Sequence, residues 1–342
     1  PAVAMTDIGN MMGAFHFVRD VLYHNKSVET KNKAAIEAGE TPSETVIKPI
    51  VGCEFFVCDN HKDKTRKDNG YQIVLLAKNK NGYHNLAKMT SIGYTDGFYY
   101  VPRIDREVIQ KYKDDIIVLS GSLYGEIPNK LLNVGENQAE EALLWWKNEF
   151  KDDFYIELQR HRGLENIDGS GVSQEDINQV LLKWAKKYNC KVICTNDTHY
   201  VDQEDWNAHD ILLCVNTGED QSTPVGDFTT KYYRFLSDDQ KVIYDTVENV
   251  RSKYSNQMNV RQMLQRIDDA GPKTRFGFPN DQFYFKTEEE ALQAYRDVQQ
   301  KINPRLEQLF DIFPKADYEV RPVEAFRAAS EAGASYQSPS PD

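Results

Sequence analysis

Five short runs of apolar and β-branched residues are spread along the first two-thirds of this chain, and helical patterns separate most of them. The runs are Val46 to Val57, Gln72 to Ala77, Ile116 to Leu119, Phe154 to Leu158 and Lys191 to Cys194. Helical periodicity covers Tyr83 to Ile92, Glu136 to Phe150, Ser173 to Tyr188 and Asp202 to Val215. Runs as continuous as Gln72 to Ala77 suit strands buried on both faces. Strand-then-helix alternation predicts an α/β fold with a largely parallel sheet and right-handed crossovers, open or closed into a barrel. Pro1 to Asp7 reads as the end of a buried strand, so the chain is expected to begin inside a domain.

Between these elements the pattern is less regular. Gly9 to Tyr23 reads as a helix with Met11, Phe15, Val18 and Leu22 inward, and residues 26–45 are polar around a Thr41-Pro42-Ser43 loop. His61 to Gly70 is charged and ends in glycine, as a solvated hairpin tip does. Tyr94 to Tyr100 is an aromatic segment whose tyrosines suit base stacking or, the preferred reading, a packed loop.

Charge narrows the function classes. Asp and Glu outnumber Lys and Arg 53 to 41, for a net charge of -12, so the surface as a whole repels a phosphate backbone and only local basic patches could bind one. Five cysteines without a CxxC pair fit reduced thiols of a cytoplasmic protein, with Cys190 and Cys194 on one face of a strand. No run reaches membrane-spanning length and no signal peptide is visible.

The stretch richest in chemistry is Thr195-Asn196-Asp197-Thr198-His199-Tyr200, just past the Lys191 to Cys194 run. A carboxylate and an imidazole beyond a strand's C-terminal end can enter one cleft, and they are donors that Zn²⁺ or Mn²⁺ accepts. The plain alternative makes Asp197 a helix cap and His199 a surface residue.

Further motifs surround it. Val3-Ala4-Met5-Thr6-Asp7-Ile8-Gly9-Asn10, Lys48 to Glu54, Val74 to Asn79 and Gly82 to Leu86 come in order, then Gly97-Phe98-Tyr99-Tyr100. Ser120-Gly121 through Pro128, Glu157 to His161, Thr195 to Tyr200 and Ala208 to Cys214 complete the series. Together, over roughly residues 1–225, they resemble the polymerase-and-histidinol-phosphatase (PHP) domain of the bacterial replicative DNA polymerase III alpha subunit. The resemblance implies a distorted, seven-stranded, TIM-like β/α barrel, here lacking its first strand and followed by a mainly helical C-terminal segment. It further implies a cleft holding two or three Zn²⁺ or Mn²⁺ ions on His, Asp, Glu and Cys ligands, whose activated water hydrolyses phosphoesters. Glu54, Asp197 and His199 keep ligand positions of the family, whereas Ile8, Gln72 and Ser122 stand where it has ligands. Three donors are too few for a polynuclear centre, so the cleft is expected to be vestigial, with no cofactor unless a residual site takes Zn or Mn. His161 and His209 are read as structural or surface residues, and His84 as packed on its helix.

Residues 1–230 are thus expected to form the PHP domain, incomplete at its N-terminus, and 231–274 a helical insertion. Residues 275–327 are expected to form a closing strand and helical segment, and 328–342 a disordered, Ser/Pro-rich tail. Ser173 with Asp176, and Thr287 with Glu290, predict capping boxes. Residues 288–335 resemble part of a bacterial zinc-peptidase-like family of undefined function, without its HExxH. The preferred function is a structural module of the replicative polymerase, partnered by the remaining alpha-subunit domains and replisome subunits, with DNA reached through the full-length polymerase. A residual metal-dependent phosphoesterase or 3′–5′ exonuclease is the second reading, and a non-functional fragment or fusion the third.

Overall fold

A computed structural model of the chain describes residues 1–161, 172–217 and 282–300. In order, these form β1 (Ala2–Ile8), α1 (Ala14–Glu37), β2 (Lys48–Val57), β3 (Tyr71–Ala77) and α2 (Lys80–Thr95). Next come β4 (Arg103–Ile104), α3 (Arg106–Tyr112), β5 (Ile116–Leu119), α4 (Glu126–Asn133), α5 (Glu136–Phe150) and β6 (Phe154–Leu158). The series ends with α6 (Gln174–Lys187), β7 (Lys191–Cys194), α7 (Trp206–Thr217) and α8 (Glu288–Gln300). Two compact units divide the chain, one holding Pro1–Glu157 and Ala185–Ile193, the other Leu158–Trp184 and the described part of Cys194–Asp317. The expected insertion at 231–274 and tail at 328–342 lie outside the described residues.

The fold is α/β around a seven-stranded sheet, ordered β1-β2-β3-β5-β6-β7 with β4 paired to β2, as the TIM-like PHP barrel reading requires. The sheet is parallel at β1–β2, β2–β4 and β5–β6, and antiparallel on the two sides of β3. A hairpin explains this exception: a stretch with no helix returns the chain from β2 to β3, whereas a parallel neighbour needs a crossover. Gly70 closes that hairpin at φ +70°, where an added Cβ would lie 2.4 Å from the Val57 carbonyl oxygen.

Every strand except β4 contributes to one core cluster. Ile50, Leu76, Ile117, Leu119, Tyr155 and Ile193 come together, with Ala2, Ala4 and Val74 packed against them. Helix α2 lies against β2 and β3, and α5 against β5, so the sheet is covered on its other side too. This is why the central runs read as continuously apolar. Burying one Ile or Leu fully contributes about 1.5–3 kcal/mol.

Helix α1 departs from expectation. It runs on through the polar stretch to Glu37, and Phe15 and Leu22, expected inward, are 71% and 50% exposed. The shielded line is instead Ala14, Val21, Asn25, Val28 and Asn32. Asn25 and Ile47 exchange two hydrogen bonds, of 2.6 and 2.8 Å, and Asn32 donates to the Glu44 carbonyl at 2.8 Å. Those amides moor the helix to the strap before β2, and the mooring decides which side faces in. No helix of the described residues is long and apolar enough to cross a membrane.

Candidate metal centre

The Thr195–Tyr200 turn is held on two sides within the second unit. Thr195 N–H donates to the Leu158 carbonyl at 3.0 Å, continuing from the end of β7. On the other side the Asn196 amide donates to the Gln282 and Tyr284 carbonyls, both at 2.8 Å. His199 N–H donates to Phe283 at 2.8 Å, and Tyr200 makes a parallel bridge with Tyr284. Within 275–327, where a closing strand and helical segment are expected, the described residues meet this turn through one isolated bridge, and residues 275–281 lie outside the described residues. Asp197 does not cap a helix. It sits at φ +48°, a left-handed conformation that aspartate tolerates better than most residues, with Oδ1 3.4 Å from His199 Nε2.

Two further histidines join this turn. The His199 and His209 rings stack at 5.0 Å with an 18° tilt, and His161 Nε2 lies 3.1 Å from the Asn196 carbonyl oxygen. Burial raises the Asp197 carboxyl, but the His199 hydrogen bond and the neighbouring imidazoles more than offset it, leaving it below the usual carboxylate range. Lost hydration, with His199 beside it, pushes His209 down to about 4 against a partial opposing pull from Asp197. Burial likewise lowers His161. At neutral pH the Asp197 carboxylate thus stands near neutral imidazoles at His161 and His209. His161 and His209 sit 36 and 12 residues from Asp197 in sequence, so spacing within the motif gives no sign of either.

The remaining positions lie in the first unit. Glu54 stands in β2 opposite Ile8 on β1 and Val74 on β3, and its carbonyl accepts from Gly9 N–H at 2.8 Å. Gln72 is the second residue of β3, opposite Phe56, its N–H donating to the Tyr124 carbonyl at 2.9 Å. Ser122 Oγ accepts from Tyr124 N–H at 3.3 Å, closing its own turn. The structure thus joins Asp197 with His199 in one unit, while Glu54, Ile8, Gln72 and Ser122 belong to the other.

A second Asp–His pair escaped the sequence reading. His61, expected on a solvated hairpin tip, is buried, with Nδ1 hydrogen-bonded to Asp105 Oδ2. Asp105 also accepts from His61 N–H and, as the N-cap of α3, from Val108 N–H, both at 3.1 Å. Beside them Arg103 is wholly buried, donating to the carbonyls of Gly97 (3.1 Å), Asp68 (2.9 Å), His61 (3.3 Å) and Asp63 (2.8 Å). No carboxylate pairs with it among the described residues. Gly97 is required there, since a Cβ would lie 1.9 Å from the Arg103 carbonyl oxygen.

Residues 1–161 match the PHP domain family, and residues 231–342 match a family described as a bacterial protein of unknown function (DUF885). The chain is 37% identical over 225 residues to a DNA polymerase III subunit alpha of Borreliella burgdorferi, covering 64% of this chain and 17% of that protein. It is 38% identical over 222 residues to the Thermus aquaticus subunit, covering 64% and 16%. For Chlamydia trachomatis the figures are 34% over 236 residues, 64% and 17%. The matched stretch thus spans about a sixth of each of these relatives. The match to the PHP domain family thus falls within a stretch of chain similar to the DNA polymerase III alpha subunits.

Proposed function

We propose that this chain serves DNA replication as the PHP portion of a DNA polymerase III alpha subunit, acting as a structural module with a degenerate metal site. One feature supports the reading: Ile8, Gln72 and Ser122 stand where the family resemblance places metal ligands. Ile8 is an alkyl side chain at the end of β1, directly opposite Glu54. Gln72 and Ser122 offer a neutral amide and a hydroxyl where divalent transition metals favour imidazole and thiolate. What is left, Glu54 with Asp197 and His199, does not fit a polynuclear centre, which needs bridging groups and several donors per ion. The family's ions therefore enter no step here. On this reading Asp197, His199 and His209 form a polar network, and the partners are the polymerase's remaining domains, replisome subunits and, through them, DNA.

A residual phosphoesterase or 3′–5′ exonuclease has its own support. The ionised Asp197 and neutral His209 are in the protonation states that metal binding demands. Elemental analysis of the intact chain, paired with release of nucleotides from a labelled primer end, separates the two. The structural reading expects well under one Zn or Mn per chain, no release, and an unchanged thermal transition in chelator. Two or more ions per chain with chelator-sensitive release would overturn it.

A further inference from the structure

Loop 61–68, between β2 and β3, and segment 94–101, at and beyond the end of α2, are distant in sequence and fastened together by Arg103. Its guanidinium holds three carbonyls of the loop and the Gly97 carbonyl of the segment, and lies 5.4 Å from the Tyr99 ring centroid. The fastened surface carries aromatic rings turned outward. Tyr94 and Phe98 stack at 6.1 Å, with Phe98 48% exposed, and Tyr100 meets Tyr99 edge-on at 4.7 Å while remaining 63% exposed. Tyr100 is held at φ +66°, a conformation a bulky residue adopts at a cost.

Cations accompany the rings. Lys67 Nζ sits 4.9 Å from the Tyr100 ring centroid. Lys62, Lys64, Arg66 and Lys67 are all exposed. Arg66 pairs with Asp59 at 3.2 Å and reaches Asp63 at 3.9 Å, whereas no carboxylate pairs with Lys62, Lys64 or Lys67 among the described residues. Aromatic rings alone suit a protein interface equally well, and it is the ammonium groups beside them that select a polyanion. Here the exposed side chains are rings flanked by unpaired ammonium groups, on a chain whose net charge is -12.

We propose that the surface formed by Tyr94, Phe98, Tyr100 and Lys67 binds a single strand of nucleic acid, the rings stacking on bases and the lysines meeting phosphates. Every base has a π-face, so such a platform is tolerant of sequence and selective for unpaired strands. The rigid frame is what makes it effective, because rings already held in place lose little freedom on binding. This site goes beyond the replicase reading and does not depend on it, since neither Asp197 nor Glu54 takes part.

The test is fluorescence anisotropy of the full chain against a labelled oligothymidylate of about 16 nucleotides, within the range one such platform spans, at low ionic strength. Wild type is expected to bind, with affinity falling as salt rises. Tyr100→Gly removes the ring while keeping a backbone angle glycine favours, and Phe98→Ser removes a second exposed ring. Each is expected to weaken binding about fivefold or more with an unchanged thermal transition, and Lys67→Glu to weaken it and flatten the salt dependence. Unlabelled duplex of the same length is expected to compete poorly. No binding by wild type, undiminished binding by both ring variants, or competition by duplex equal to that by single strand would each overturn the proposal. The first result would make the rings a protein-docking face.

Discussion

Each unit of this chain sets an aspartate against a histidine, and the two pairs have opposite character. His61 and Asp105 are sealed in, each side chain 6% exposed, and Asp105 additionally accepts two backbone N–H groups. Asp197 and His199 are 41% and 36% exposed and 3.4 Å apart. The first pair joins a loop to a helix and cannot be approached by a ligand. The second is reachable from solvent and less tightly paired. Residue chemistry is the same in both, so burial and the number of additional hydrogen bonds distinguish scaffold from site.

The sharpest way to break this contrast is at the scaffold's centre. Arg103→Met keeps much of the side chain's length but leaves four buried carbonyls without their donor. It should lower the first unit's stability by about 3–5 kcal/mol in urea unfolding followed by tryptophan fluorescence. A loss under about 1 kcal/mol would mean that water replaces the guanidinium readily. Asp105→Ala comes next, at about 2–3 kcal/mol, from a lost helix cap and an unpaired buried imidazole.

Acid should act on the same region. Burial raises the Asp105 carboxyl, but His61 and the backbone N–H of Val108 outweigh it and hold it below its usual range. Glu126 is similar: burial raises it, and Lys130, Arg106 and the Trp146 indole bring it below the usual value. A carboxyl depressed in the folded state favours folding above its unfolded pKa, near 3.8 for Asp and 4.5 for Glu, and loses that contribution as pH falls through the folded value. Melting temperature should therefore fall steeply below about pH 4.5, and Glu126→Gln should start lower and decline less. An identical acid limb in the variant would remove Glu126 as a cause. The smallest effect is expected at the exposed pair, where Asp197→Asn should cost under about 1 kcal/mol. A loss as large as that of Asp105→Ala would erase the distinction between the two pairs.

What could be read from the chain beforehand follows the range of the interactions. Ser173 with Asp176, and Thr287 with Glu290, form reciprocal capping boxes as predicted, because both partners lie within one helical turn. Strands β5, β6 and β7 begin and end where their apolar runs do. The inward side of α1 was misassigned because Asn25 and Asn32, polar on any scale, face the strap at 44–47, and only the folded chain supplies that strap. At the candidate site the Asp197–His199 pair was legible from its two-residue spacing, but the His209 stack and the Asn196 bonds to 282–284 were not. Arg103 was invisible for a related reason: its partners are carbonyl oxygens up to 42 residues away, and carbonyls carry no sequence signature.

That last property has an evolutionary corollary. Because Arg103 grips main-chain oxygen, which every amino acid supplies, the residues of the loop after His61 can be rewritten without loosening the clasp. Shape and surface chemistry are thereby decoupled. The loop can keep its path while its outward side chains drift toward whatever the neighbouring rings are used to hold.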